Sequence, residues 1–187
     1  MGKKKATKAT RAVLNLARPH RSHNTSQALF TSFCEAAAVV LSWFHVVPPP
    51  ATITRIRSEG KQFAVDLAWK EPTLQVRLAH GNDTDAIEYG AYAVAGLCLH
   101  HVHRWKLLGR TQTASGADFF IIPEGAPAEE FVRIEVSGIA KNSGVTELER
   151  RLRTKIKQLA HGDLARPGVA VVVGFKTAHV LISEIQK

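Results

Sequence analysis

Apolar residues recur at helical spacing between Thr25 and Val46, where Leu29, Phe30, Phe33, Ala37, Val40, Leu41 and Phe44 make one stripe and Ser26 offers an N-cap. Pro48, Pro49 and Pro50 end that helix. The pattern then becomes alternation. Thr52 to Arg57 and Gln62 to Trp69 flank the turn Ser58-Glu59-Gly60-Lys61, which predicts a pair of strands, and Thr73 to Leu78 reads as a third. Asn82 to Asp85 is rich in capping residues and opens a long helix over Ala86 to Trp105. Its small residues, Gly90, Ala91, Ala93, Ala95 and Gly96, let it pack closely against a sheet.

Farther along, Ala117 to Ile122 and Phe131 to Ser137 are short apolar strands joined by the turn-rich link Pro123-Glu124-Gly125-Ala126-Pro127. Gly138 to Gly144 reads as a loop. Thr146 to Ala160 predicts a helix that buries Leu148, Leu152, Ile156 and Leu159 and ends at His161-Gly162. Val169 to Phe175 is an unbroken apolar run, as in a strand covered on both faces. The order helix, strand, strand, helix, strand predicts a single α/β domain over residues 23 to 187.

Charge changes the picture at the N-terminus. The 187 residues carry 25 Lys and Arg against 16 Asp and Glu, a net charge of +9. Seven of the basic residues and no acid fall within residues 1 to 22, so the remaining 165 residues carry only +2. This basic arm, with Lys3, Lys4, Lys5, Lys8 and Arg11, is open to three readings: a solvated tail, a phosphate-binding arm, or a targeting segment. Gly2 invites N-myristoylation, but Ala6 stands where that pattern needs Ser or Thr. No apolar stretch reaches the length of a membrane span, because Ser42 and His45 interrupt the best candidate. Cys34 and Cys98 sit among apolar helical residues, which fits a reducing, cytoplasmic compartment better than a disulfide framework.

Three acids could converge in the predicted order. Asp118 opens the first core strand. Glu135 lies in its neighbour, where alternation puts Arg133, Glu135 and Ser137 on one face and Val132, Ile134 and Val136 on the other. Glu88 begins the preceding helix and shares a face with Tyr92, Ala95 and Leu99. Carboxylates on adjacent strands make a hard-oxygen site suited to Mg²⁺ or Mn²⁺. Each acid also has a purely structural reading: Asp118 as a turn residue, Glu135 as a partner of Arg133, and Glu88 as a favourable charge at a helix start. His100, His101 and His103 point in different directions along the same helix and do not have the spacing of a zinc site. Dinucleotide, P-loop and nucleophile-elbow motifs do not occur.

Gly116-Ala117-Asp118-Phe119-Phe120-Ile121, then Arg133-Ile134-Glu135-Val136-Ser137-Gly138, then a basic helix with Lys155 and Gln158 resembles the core of the PD-(D/E)xK, or restriction-endonuclease-like, nucleases. It also resembles uncharacterised bacterial proteins in or near that superfamily, which carry Gly-x-x-Asp-Tyr/Phe and Glu-Val-Ser-Gly strands. The resemblance spans residues 82 to 176. It implies a mixed sheet flanked by helices, an N-terminal helix and β-hairpin extension, and metal-dependent cleavage of phosphodiester bonds in DNA. Asp118 and Glu135 would hold Mg²⁺ or Mn²⁺, and Glu88 would be an accessory helix acid. The lysine that normally follows the strand acid by two residues is replaced by Ser137. Lys155, on the following helix, is the better substitute and Lys141 the second, with Gln158 as a polar helper and Arg151 as a further backbone contact. A helix with five basic residues between 150 and 157 also suits a solvated face. Two other functions stay open: a nuclease-fold binding or assembly module without cleavage, and a basic RNA- or ribosome-associated protein. Residues 25 to 81 lie outside the resemblance, where dimerisation, in a homodimer or larger assembly, or substrate contact would suit them.

Overall fold

The computed structural model describes residues 11–18, 23–45, 52–111, 117–127, 129–141, 144–161 and 166–185. Lys3, Lys4, Lys5 and Lys8 lie outside them. The first half comprises β1 (Ala12–Asn15), α1 (Gln27–Ser42), β2 (Thr52–Ser58), β3 (Lys61–Ala68), α2 (Leu74–Ala79) and α3 (Asp83–His103). The second comprises β4 (Trp105–Arg110), β5 (Phe119–Pro123), β6 (Val132–Ile139), α4 (Val145–His161), β7 (Gly168–Gly174) and β8 (His179–Ile185).

All of these strands join one mixed sheet in the order β1-β3-β2-β8-β7-β6-β5-β4. Three pairings are parallel, β1 with β3, β2 with β8 and β6 with β7, and the others are antiparallel. The α/β expectation therefore holds. α1 and α3 share the main core with one face of the sheet, through residues such as Phe33, Leu41, Tyr92, Phe119, Ile134 and Val171. α4 covers the other face, where Leu148 meets Val172 and Leu181 in a smaller core. β7 lies between the two layers and is buried along its whole length, which accounts for its unbroken apolar sequence.

α1 follows its sequence pattern closely, and Ser26 caps it by accepting from the Leu29 amide at 3.2 Å. The small residues of α3 serve α1 as much as the sheet. A Cβ on Gly90 would come within 2.9 Å of the Ala37 backbone, and one on Gly96 within 2.8 Å of Leu107.

Three sequence expectations change. Thr73 to Leu78 is helical, because the Thr73 hydroxyl caps the Val76 amide, and the apparent alternation is not one of burial: Leu74 and Leu78 remain 67% and 72% exposed. The stretch read as a basic arm contributes β1 to the sheet edge, since Ala12 to Leu16 is apolar enough to pair with β3 and bury Leu16. Arg11 itself is paired with Asp66 at 2.8 Å. The long helix stops at His103, not Trp105. Arg104 adopts a left-handed backbone (φ 59°) that caps it and sends the chain directly into β4. Two strands lie where no element was expected: β4, which pairs with β5, and β8, which pairs with both β7 and β2 and joins the N-terminal hairpin to the rest of the sheet.

Candidate active site

The site forms where β5 and β6 separate. Their antiparallel register ends at Phe119 opposite Ile134, with the Asp118 amide donating to the Ile134 carbonyl at 2.8 Å. Beyond that point the Asp118 side chain takes over from the ladder: Oδ2 accepts from the Val136 amide at 2.7 Å. This contact fixes the carboxylate beside residue 135. It also satisfies a strand donor that the end of β5 would leave unpaired.

Glu135 faces α4. Its Oε1 accepts from Lys155 Nζ at 2.6 Å, with side chains only 9% and 16% exposed. α4 can deliver that amine because Leu148 and Leu159, both fully buried, anchor the helix on the sheet. Burying a leucine contributes roughly 2 kcal/mol, so two of them hold the helix firmly enough to set the position of Lys155. Arg133 does not compensate Glu135; it is buried and donates to the Arg166 carbonyl at 3.2 Å.

Burial pushes the Glu135 carboxyl up to about 7; Lys155 opposes this and the nearby Asp118 charge reinforces it. Burial alone favours the neutral acid. The hydrogen bond from Lys155 recovers only part of the lost charge, leaving a carboxylate poised to gain from a further positive charge.

Glu88 reaches the site from α3. A Cβ on Gly138 would lie 2.5 Å from the Ile87 carbonyl oxygen, so α3 crosses β6 there with the two backbones in contact. The turn carrying Glu88 therefore approaches the strand bearing Glu135. Glu88 is exposed, and its Oε1 accepts from the Tyr92 hydroxyl at 2.6 Å. The same hydroxyl lies 3.2 Å from Asp118 Oδ1. One phenolic proton thus stands between two carboxylates. Tyr92 is 1% exposed, with its ring edge-on to Phe119 at 4.8 Å and tilted against Phe33 at 5.4 Å. Its phenol is shifted far above the ordinary tyrosine range, first by burial and then by its bond to Glu88 and the charge of Asp118. It is a donor only.

Four of the expected groups thus come together: Asp118 and Glu135 side by side, Lys155 on Glu135, and Glu88 linked to Asp118 through Tyr92. Lys141 and Gln158 are exposed and join none of these contacts, and Arg151 is half-buried one turn before Lys155. Sequence reasoning missed Tyr92 as a member of the site; its i+4 spacing from Glu88 was the available signal. It also missed Gly138 as the point of close approach.

The histidines take other roles. His103 Nε2 lies 2.9 Å from the Ser58 hydroxyl and Nδ1 lies 3.4 Å from Glu184, with the ring stacked on Trp105 at 4.6 Å. Cys34 and Cys98 are buried, and burial pushes both thiols up to about 12. Among the described residues, no set of three or more His, Cys, Asp or Glu side chains is grouped as metal ligands, and no helix is long and apolar enough to cross a membrane. No family model, curated protein or solved structure matches the chain.

Proposed function

We propose that this protein is a metal-dependent nuclease-like hydrolase of the PD-(D/E)xK, restriction-endonuclease-like type, acting on phosphodiester bonds in DNA. The observation that carries the reading is the 2.6 Å contact from Lys155 to Glu135 beside Asp118. The superfamily's lysine is missing from position 137, yet an amine from α4 meets the strand acid. Further support comes from the element order over residues 82 to 176 and from a mixed sheet with helices on both faces.

The donor set fits Mg²⁺ or Mn²⁺. Mg²⁺ typically uses one or two protein carboxylates and fills its remaining positions with water and substrate phosphate oxygens. Asp118 and Glu135 are such a pair, and a third protein ligand is not required. When bound, the ion supplies activation of water and neutralisation of charge on the phosphate.

The chain's own groups have distinct tasks. Asp118, clamped by the Val136 amide, offers Oδ1 in a fixed direction. Lys155 holds a positive charge at Glu135 where a substrate phosphate would gain negative charge, and it can orient an attacking water. Tyr92 holds Asp118 and Glu88 in register through its hydroxyl, and Glu88, exposed at the rim, can accept a proton from solvent-side water.

The test uses the purified full chain with duplex DNA, with and without Mg²⁺ or Mn²⁺. Cleavage should require the ion and disappear in Asp118→Ala and Glu135→Ala, while DNA binding persists. Metal-independent binding with no cleavage by the unmutated protein would replace this reading with that of a nuclease-fold binding module.

A further inference from the structure

We infer that Arg110 is the site's substrate-facing cation and receives a backbone phosphate next to the cleaved one. This rests on the nuclease reading for the identity of the strand it grips. The placement of Arg110 follows from an irregularity in β4. The register runs Trp105 to Pro123, Lys106 to Ile122 and Leu107 to Ile121, then resumes at Gly109 with Phe120 and Arg110 with Phe119. Leu108 is therefore an extra residue, a bulge. In a regular strand, residues 107 and 110 would face opposite sides of the sheet. The bulge brings both to the face that packs on α3, opposite the fully buried Ile121 and Phe119.

Arg110 does not bury there. It is exposed, and its guanidinium carbon lies 5.7 Å from the Phe119 ring centre and 6.0 Å from that of Tyr92. Those rings are the immediate surroundings of the site, since Phe119 follows Asp118 and the Tyr92 hydroxyl contacts both Asp118 and Glu88. The electron-rich faces of these rings attract the cation. Among the described residues Arg110 forms no ion pair; Lys155, by contrast, is already engaged by Glu135. A planar guanidinium held on rings with its fork unsatisfied is suited to a phosphate, which it can bind through two parallel hydrogen bonds.

The experiment uses the full chain, a fluorescein-labelled DNA duplex and Ca²⁺ in place of Mg²⁺, with affinity measured over a range of salt concentrations. Arg110→Gln should weaken binding on the order of tenfold and reduce the log–log salt slope by about 0.9, the effect of one lost phosphate contact. Arg110→Lys should keep the slope while losing part of the affinity, because it retains the charge but not the fork. Circular dichroism confirms that the variants fold. If the unmutated chain cleaves DNA while Arg110→Gln changes neither affinity nor slope, the inference is overturned and the nuclease reading stands. Equal loss in both variants with an unchanged slope also overturns it, since that marks a packing role on the rings. If Arg110→Gln flattens the slope but the unmutated chain cleaves nothing with Mg²⁺, the phosphate contact is supported and the nuclease reading is lost.

Discussion

Replacing Lys155 with methionine should destabilise the protein in a strongly pH-dependent way. Methionine keeps most of the apolar stem but removes the charge that answers Glu135 at 2.6 Å. With Lys155 present, burial still pushes the Glu135 carboxyl from 4.5 up to about 7. A carboxyl raised in the folded state binds protons more tightly there than when unfolded, so its contribution is favourable below about pH 4.5 and is lost as pH rises through about 7. Without Lys155 the carboxyl rises further, and each additional unit costs about 1.4 kcal/mol once the solution is alkaline enough to demand ionisation. Breaking a buried pair costs about 3–5 kcal/mol. Here the loss at about pH 8.5 should sit near the low end, about 3 kcal/mol, because Glu135 can escape by taking up a proton. At about pH 5.5, where Glu135 is already largely protonated, the loss should fall to about 1 kcal/mol, the value of an ordinary hydrogen bond. Urea denaturation in the presence of a chelator, at both pH values, measures this. Adding Glu135→Gln to the variant should remove most of the alkaline penalty. An equal loss at both pH values, or no coupling between the two substitutions, would show that Lys155 does not balance the charge of Glu135.

Neighbouring contacts lead to further expected outcomes. Tyr92→Phe keeps the ring packing but removes the proton shared by Glu88 and Asp118; it should cost about 1–2 kcal/mol in chemical denaturation and lower the cleavage rate more than it changes DNA affinity. Gly138→Ala should cost about 1–3 kcal/mol in the same assay, because its Cβ would meet the Ile87 carbonyl at 2.5 Å and neither backbone can yield easily. Burial lowers the His103 pKa, so the fold favours the neutral ring; stability should be intact above about pH 6.5 and decline as pH falls below it. Thermal melts of His103→Gln should show a weaker acid-side decline than those of the unmutated chain.

Much of this arrangement was legible because it rests on local periodicity. The stripe of α1, the hairpin of β2 and β3, and the order β5, β6, α4, β7 follow from spacing alone; β4, between α3 and β5, was not anticipated. So does the placement of Glu135 on the face of β6 opposite that of its core neighbours Ile134 and Val136. Lys155 could be selected because it flanks the buried leucines of α4. What escaped depended on tertiary context or on backbone conformation. Thr73 turns an apparently alternating segment into a helix through one cap. Arg104 ends α3 with a left-handed backbone although no glycine marks the position. β8 has a mixed sequence, and one of its two flanking strands, β2, comes from a distant part of the chain. The bulge at Leu108 exchanges the faces of β4, so no alternation rule could assign Arg110. Net charge pointed mainly to residues 1 to 22, whereas the convergent carboxylates lie in the part of the chain that carries little excess charge.

Whether Asp118 and Glu135 together hold a divalent ion is best decided by calorimetric titration of the full chain with Mn²⁺. One ion should bind per chain, and both Asp118→Asn and Glu135→Gln should abolish binding while leaving the fold intact. Because the Glu135 carboxyl stands at about 7, binding at about pH 6 should release close to one proton, and binding at about pH 8.5 close to none. No Mn²⁺ binding, or binding that is unchanged in both variants, would mean that these two carboxylates are not a metal site.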